Sequence, residues 1–175
     1  MRNPRDTEMR MGKTRGSYMP VLSRIVQVTS GPIVELGIGF CSTPYLHWAC
    51  YPTNRHLVSY ENNPEYFQFG EAWAEEPFHE VHCITDWDAV DLSPPWSIAF
   101  VDHCPQDHRH IEVQRLLHAD YVVCHDSEGR NDRVYQYTKV APLFKYQWKY
   151  VGAFPETTVF SNKFDPRLIF AADPV

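Results

Sequence analysis

The sequence predicts an α/β fold: a mostly parallel seven-stranded sheet with helices on both faces and an antiparallel hairpin at the C-terminal end. Three observations carry this. Short apolar runs of strand character alternate with helix-length segments, the pattern of a parallel sheet assembled from crossover units. Two aromatic runs near the end, 146–152 and 157–161, flank a turn around Pro155 and read as a hairpin that adds an antiparallel edge. The length of 175 residues, with 43% hydrophobic and 22% charged residues, suits one domain with a full core.

Taken in order, residues 17–30 place apolar side chains at Met19, Leu22, Ile25, Val26 and Val28 and predict a helix, poorly framed by Pro20 and ended by Gly31-Pro32. Ile33–Leu36 is a short buried strand running into a glycine loop. Thr43 as N-cap and Pro44 at the first helical position predict a helix over 43–51. His56–Tyr60 is the second strand, ending at Glu61, and Pro64 opens a helix over 64–74. Val81–Ile84 is the third strand and Trp96–Val101 the fourth, ending at Asp102. A helix over 108–118 carries Ile111, Val113, Leu116 and Leu117. Tyr121–Cys124 is the fifth strand, ending at His125-Asp126, and a short helix over 131–140 precedes the hairpin. Residues 1–16, with Arg2, Arg5, Arg10, Lys13 and Arg15, read as a flexible basic tail, and 17–175 as a single domain.

Composition excludes several function classes. A net charge of -6 with scattered Lys and Arg argues against a nucleic-acid backbone binder. No apolar run approaches the roughly 20 residues of a membrane span, and no apolar core follows the basic start as in a signal peptide. Five cysteines, odd in number and without a CxxC pair, read as reduced thiols in the cytoplasm. The expected partner is a small-molecule substrate, with a homo-oligomer left open.

Open parallel sheets bind ligands beyond the carboxyl ends of their strands. That rule singles out residues 37–43, 61–63, 85–87, 102–109 and 125–129. In the first loop, Gly37 and Gly39 let the backbone approach a ligand, and Glu35 suits an ammonium group. A dinucleotide fingerprint needs a third glycine where Ser42 stands. Glu61 can accept both hydroxyls of a ribose. Asp86 beside Trp87 can grip an adenine by its amine and its face, although Trp87 reads equally well as core.

In Val34-Glu35-Leu36-Gly37-Ile38-Gly39 with Ser42-Thr43, then Glu61, Thr85-Asp86-Trp87 and Val101-Asp102-His103, the sequence resembles the class I S-adenosylmethionine-dependent methyltransferases, in particular small O-methyltransferase-like groups. The resemblance spans most of residues 17–161, and Cys41 stands where many members have a further glycine. It implies a Rossmann-like sheet and S-adenosylmethionine held by Glu35, Gly37, Gly39, Ser42, Thr43, Glu61, Asn62, Thr85, Asp86, Trp87 and Asp102. It implies methyl transfer to a small molecule, with a hydroxyl oxygen as the expected acceptor. A binding module of the same fold without catalysis is the alternative, and a small NAD-dependent oxidoreductase a more distant one. Val101-Asp102-His103-Cys104-Pro105 departs from the signatures of adenine-N6 and glutamine methyltransferases.

The catalytic candidates are Asp102, His103, His125 and Asp126. Asp102 and Asp126, with Glu128 as a third acid, can share Mg²⁺ between adjacent strand ends. The alternative is a metal-free general base, His103 or His125, whose ordinary pKa suits neutral pH. His103, Cys104, His108 and His110 have the spacing of no closed zinc site. Arg109 reads either as an anion contact or as helix surface, and the aromatic tract 145–154 as pocket lining or core.

Overall fold

A computed structural model describes residues 16–171, so the predicted tail lies outside the described residues except for Gly16. Seven strands form one sheet: β1 (Ile33–Leu36), β2 (Leu57–Glu61), β3 (His79–Cys83), β4 (Ile98–Val101), β5 (Tyr121–Cys124), β6 (Tyr146–Tyr150) and β7 (Thr157–Ser161). Their order is β3-β2-β1-β4-β5-β7-β6. The first five are parallel, and β7 pairs antiparallel with both β5 and β6. This is a Rossmann-like sheet of the expected class, with the predicted hairpin on its edge.

Period-2 alternation divides the core between two faces. Ile33, Leu57, Ile98, Phe100 and Val123 face one side, where α1 (Met19–Gln27) and α2 (Ser42–Cys50) supply Leu22, Ile25 and Leu46. Val34, Leu36, Val58, Ala99, Val101 and Val122 face the other, under α4 (Arg109–Arg115), which contributes Val113. Burying an aliphatic or aromatic side chain of this size stabilises by about 1.5–3 kcal/mol, so both layers hold the sheet. α3 (Pro64–Glu71) lies beside β2 and β3.

Several boundaries move from their predicted places, each for a local reason. α1 accommodates Pro20 because the proline falls in the first turn, where its missing N–H would have no partner anyway. α2 begins one residue early, with Cys41 as its N-cap; Thr43 is inside the helix and turns its hydroxyl inward. Asn63 caps α3, its Oδ1 accepting from the N–H groups of Glu65 and Tyr66. β3 starts at His79, two residues earlier than read, because His79 and Glu80 join the ladder opposite Leu57 and Val58. The predicted helix over 131–140 is two single turns, α5 (Asp132–Tyr135) and α6 (Tyr137–Val140), split where Gln136 adopts a left-handed φ of 56°. A last turn, α7 (Arg167–Phe170), follows the sheet and stacks Phe170 on Trp148. Among the described residues no helix is long and apolar enough to cross a membrane.

Candidate active site

A cleft of about 390 Å³ opens beyond the carboxyl ends of β1, β2, β4 and β5, within the size range of small-molecule sites. Gly39, Glu61, Asp102, His103, His125 and Asp126 line it, together with Tyr18, Phe40, Cys41, Tyr66, Cys104 and Pro155. Six of the residues singled out in the sequence thus meet in one place.

Gly37 has φ of +97°, and a Cβ there would lie 2.7 Å from the backbone of Asp102 and His103. Its bare backbone therefore serves contact between the β1 and β4 loops. Gly39 is the glycine that opens onto the cleft.

Glu61 gathers the first two loops. The N–H of Ile38 donates to its Oε2 at 2.9 Å, and those of Asn62 and Asn63 donate to its Oε1 at 2.9 and 2.7 Å. Burial pushes its carboxyl up, against the pull of these three donors. A carboxylate has about four acceptor positions, so Oε2 keeps one free beside the cleft.

Glu35 departs from its expected role. Strand alternation puts it on the same face as Ile33, beneath α2, with no exposed surface. Thr43 donates to its carboxylate at 2.9 Å and Ser59 at 2.7 Å, while the Gly39 N–H donates to Thr43 Oγ1 at 3.1 Å. A direct ammonium contact is closed to it; it holds the loop from below. Burial pushes its carboxyl up to about 7 from the usual 4.5. A chain continues beneath it, from Ser59 to His79 Nε2 at 3.1 Å, then between the Nδ1 atoms of His79 and His47 at 3.2 Å, to Glu75 at 3.5 Å from His47. Burial, with His47 alongside, lowers His79 to about 4, so it is neutral at pH 7.

Asp102 and Asp126 form the opposite wall. Arg109, almost fully buried, forms an ion pair with Asp102 Oδ1 at 3.0 Å, donates to Asp126 Oδ2 at 3.2 Å and to the His103 carbonyl at 2.6 Å, and its guanidinium lies 4.9 Å from the centre of the Tyr135 ring. It is neither an anion contact nor helix surface. Burial raises the Asp102 carboxyl, but Arg109 and His125 outweigh burial and hold it below the usual range. Asp126 takes a left-handed φ of 56°, a conformation that aspartate tolerates better than most residues.

His125 Nδ1 lies 3.2 Å from Asp102 Oδ1, and its Nε2 2.9 Å from Ser17 Oγ. The single Ser17 proton is donated to the Pro155 carbonyl at 2.8 Å, which leaves Ser17 as acceptor and both ring nitrogens of His125 as donors. Burial lowers the pKa of His125, but Asp102 more than restores it, for a net rise. Both the hydrogen-bond pattern and the rise favour the protonated ring, the opposite of what a general base at this position needs. His103 is closed off in another way. Its side chain has no exposed surface, stacks on Trp87 at 4.0 Å, and has Nε2 3.1 Å from Glu112 Oε2.

The donor set does not fit Mg²⁺. Two carboxylates are available, but one guanidinium already occupies an oxygen of each, and the third neighbour is an imidazole whose Nδ1 is turned to Asp102. Glu128 is held in its own turn by Asn131 and the Glu156 N–H.

The remaining sequence candidates lie outside the cleft. Trp87 is 4% exposed, donates its indole N–H to the Cys104 carbonyl and has one face on His103, so it is core. Thr85 and Asp86 line a second depression with Tyr60 and His82. Ser42 is buried beside Gly39, and Asn62 contributes its backbone N–H. Tyr18 and Ser17 come from the start of α1 and were not foreseen, because they reach the cleft only through packing over more than 100 residues of separation.

No protein-family model and no curated protein matches the sequence. Solved structures do. The cofactor-bound Rv0187 from MTB superposes with a TM-score of 0.64 at 13% identity, covering 90% of this chain and 84% of that one. The O-methyltransferase TomG from Streptomyces achromogenes, involved in tomaymycin synthesis and in complex with SAM, gives 0.58 at 16% identity over 82% and 77%. The O-methyltransferase from Bacillus cereus in complex with SAH gives 0.58 at 10% over 91% and 81%. These likenesses show the fold.

Proposed function

We propose that the protein binds S-adenosylmethionine in this cleft and transfers its methyl group to a small molecule, with a hydroxyl oxygen as acceptor. The observation that carries the reading is Glu61: a carboxylate at the end of β2, fixed by backbone N–H groups from two loops and left with a free acceptor position beside Gly39. That is the chemistry a ribose diol requires. Two of the structural likenesses are O-methyltransferases in complex with SAM or SAH, which supports the same reading.

When bound, S-adenosylmethionine supplies a methyl group already activated on a cationic sulfur. Asp102 and Asp126 give the cleft an acidic wall for that cation and its ammonium group, the part left vacant by Glu35. Gly39 offers backbone, and Tyr18, Phe40 and Tyr66 exclude water. Positioning does most of the work in such a transfer. With both ring nitrogens of His125 engaged and His103 enclosed, Asp126 is the group assigned to take the acceptor's proton. No added magnesium is called for.

The test is calorimetry with S-adenosylhomocysteine. Micromolar affinity, about -7 to -8 kcal/mol, is the expected result; absence of binding sinks the reading. A binding module without catalysis is favoured by one observation, the mutual saturation of Asp102, Arg109 and His125. Labelled methyl transfer to a hydroxylated acceptor library distinguishes the two.

A further inference from the structure

We propose that Asp88, His108 and Glu112 form a site for one divalent ion of the zinc type, outside the cleft and independent of its function. His108 and Glu112 stand four residues apart at the start of α4, so they share a helix face, and His108 Nδ1 lies 3.0 Å from Glu112 Oε1. Asp88 reaches the same point from the turn Trp87–Ala89 that follows β3. One ligand atom from each of the three lies within 4.8 Å of the others. An ion with bonds of about 2 Å closes that span with small rotations of the exposed Asp88.

A second observation points to a ligand. Glu112 is completely buried, yet its Oε2 has no hydrogen-bond partner among the described residues. His103 Nε2 is 3.1 Å away, but it too makes no aligned hydrogen bond. A buried carboxylate oxygen without a donor is costly and calls for a charge. The nearest cation, Arg115, is 3.9 Å from Glu112 Oε1, and its guanidinium is already spent on the carbonyls of Trp87 and Val90. This contrasts with the cleft, where Arg109 sits directly on both acids. One imidazole and two carboxylates favour zinc over magnesium, and three protein ligands leave a fourth position for water. The bound ion ties the turn after β3 to α4. The segment 102–108, which carries His103 and Cys104 to the cleft wall, runs between them.

The test is zinc titration of the full chain after dialysis against a chelator, read by calorimetry and by the visible spectrum of a cobalt substitute. One equivalent is expected to bind, Asp88→Asn and His108→Gln each to weaken it at least tenfold, and His125→Gln to leave it unchanged. Asp88 and His108 are partly exposed, so these variants retain the fold, which circular dichroism verifies. No stoichiometric binding, binding that survives either of the two substitutions, or loss of binding in His125→Gln overturns the proposal.

Discussion

Within β1 and at the end of β2, Glu35 and Glu61 are surrounded by neutral donors: hydroxyls of Thr43 and Ser59 in one case, backbone N–H groups in the other. At the ends of β4 and β5, Asp102 and Asp126 share a buried guanidinium. All four are acids near the carboxyl ends of their strands, but the carboxyls of Glu35 and Glu61 shift one way and that of Asp102 the other. Burial wins at Glu35 and Glu61, whose carboxyls are raised; Arg109, aided by His125, wins at Asp102, whose carboxyl is lowered. An acid at a strand end therefore has no fixed meaning. Whether a cation reaches it decides which way its carboxyl shifts.

Removing the cation breaks the contrast most severely. Arg109→Leu leaves two carboxylates facing each other and should lower stability by about 3–5 kcal/mol, read from the urea midpoint. A loss below 1 kcal/mol would mean that the acids are screened by solvent.

The next largest effect is expected at Glu35. Its folded pKa of about 7 exceeds the usual 4.5, so its contribution is complete below pH 4.5 and is lost as pH rises through 7. The full difference is about 3 kcal/mol. Glu35→Gln keeps the neutral form at every pH and should flatten the decline in stability between pH 4.5 and 8. Parallel wild-type and variant curves would show that Glu35 is ionised throughout.

Glu61→Ala should weaken S-adenosylhomocysteine binding by about 1–3 kcal/mol, since three backbone donors and the ligand lose one acceptor. Unchanged affinity would place the ribose elsewhere. The smallest effect is on proton affinity alone. Asp102→Asn removes the group that raises His125, so the His125 titration followed by NMR should move to lower pH. A titration that stays put would assign the rise to Asp126.

The strands were legible because period-2 alternation and short apolar runs are written in consecutive residues, and the acids at their ends followed from that. Glu35 shows the limit. Its inward direction was implied by its parity with Ile33, but an acid in the middle of a buried strand pattern was read as a ligand contact. Trp87 gave two equal readings, and only packing against His103 chose core. Gln136 breaks a helix without a glycine or proline to announce it. Arg109 was visible as a residue but not as a partner, because only the fold turns the start of its helix back onto the ends of both β4 and β5. A signal existed, however: two acids on adjacent strand ends require a cation nearby, and Arg109 starts the intervening helix.

Gly37 also bears on how the cleft can change over generations of sequence. With the Asp102 and His103 backbone 2.7 Å from where a Cβ would stand, the glycine turn and the loop after β4 rest on each other like two stones of an arch. Any side chain at position 37 wedges them apart by several tenths of an ångström. The shift would reach Gly39 and Asp102 together, on opposite walls. Insertions that enlarge the acceptor pocket have more room between β6 and β7, where the Pro155 turn meets Ser17 through a single hydrogen bond.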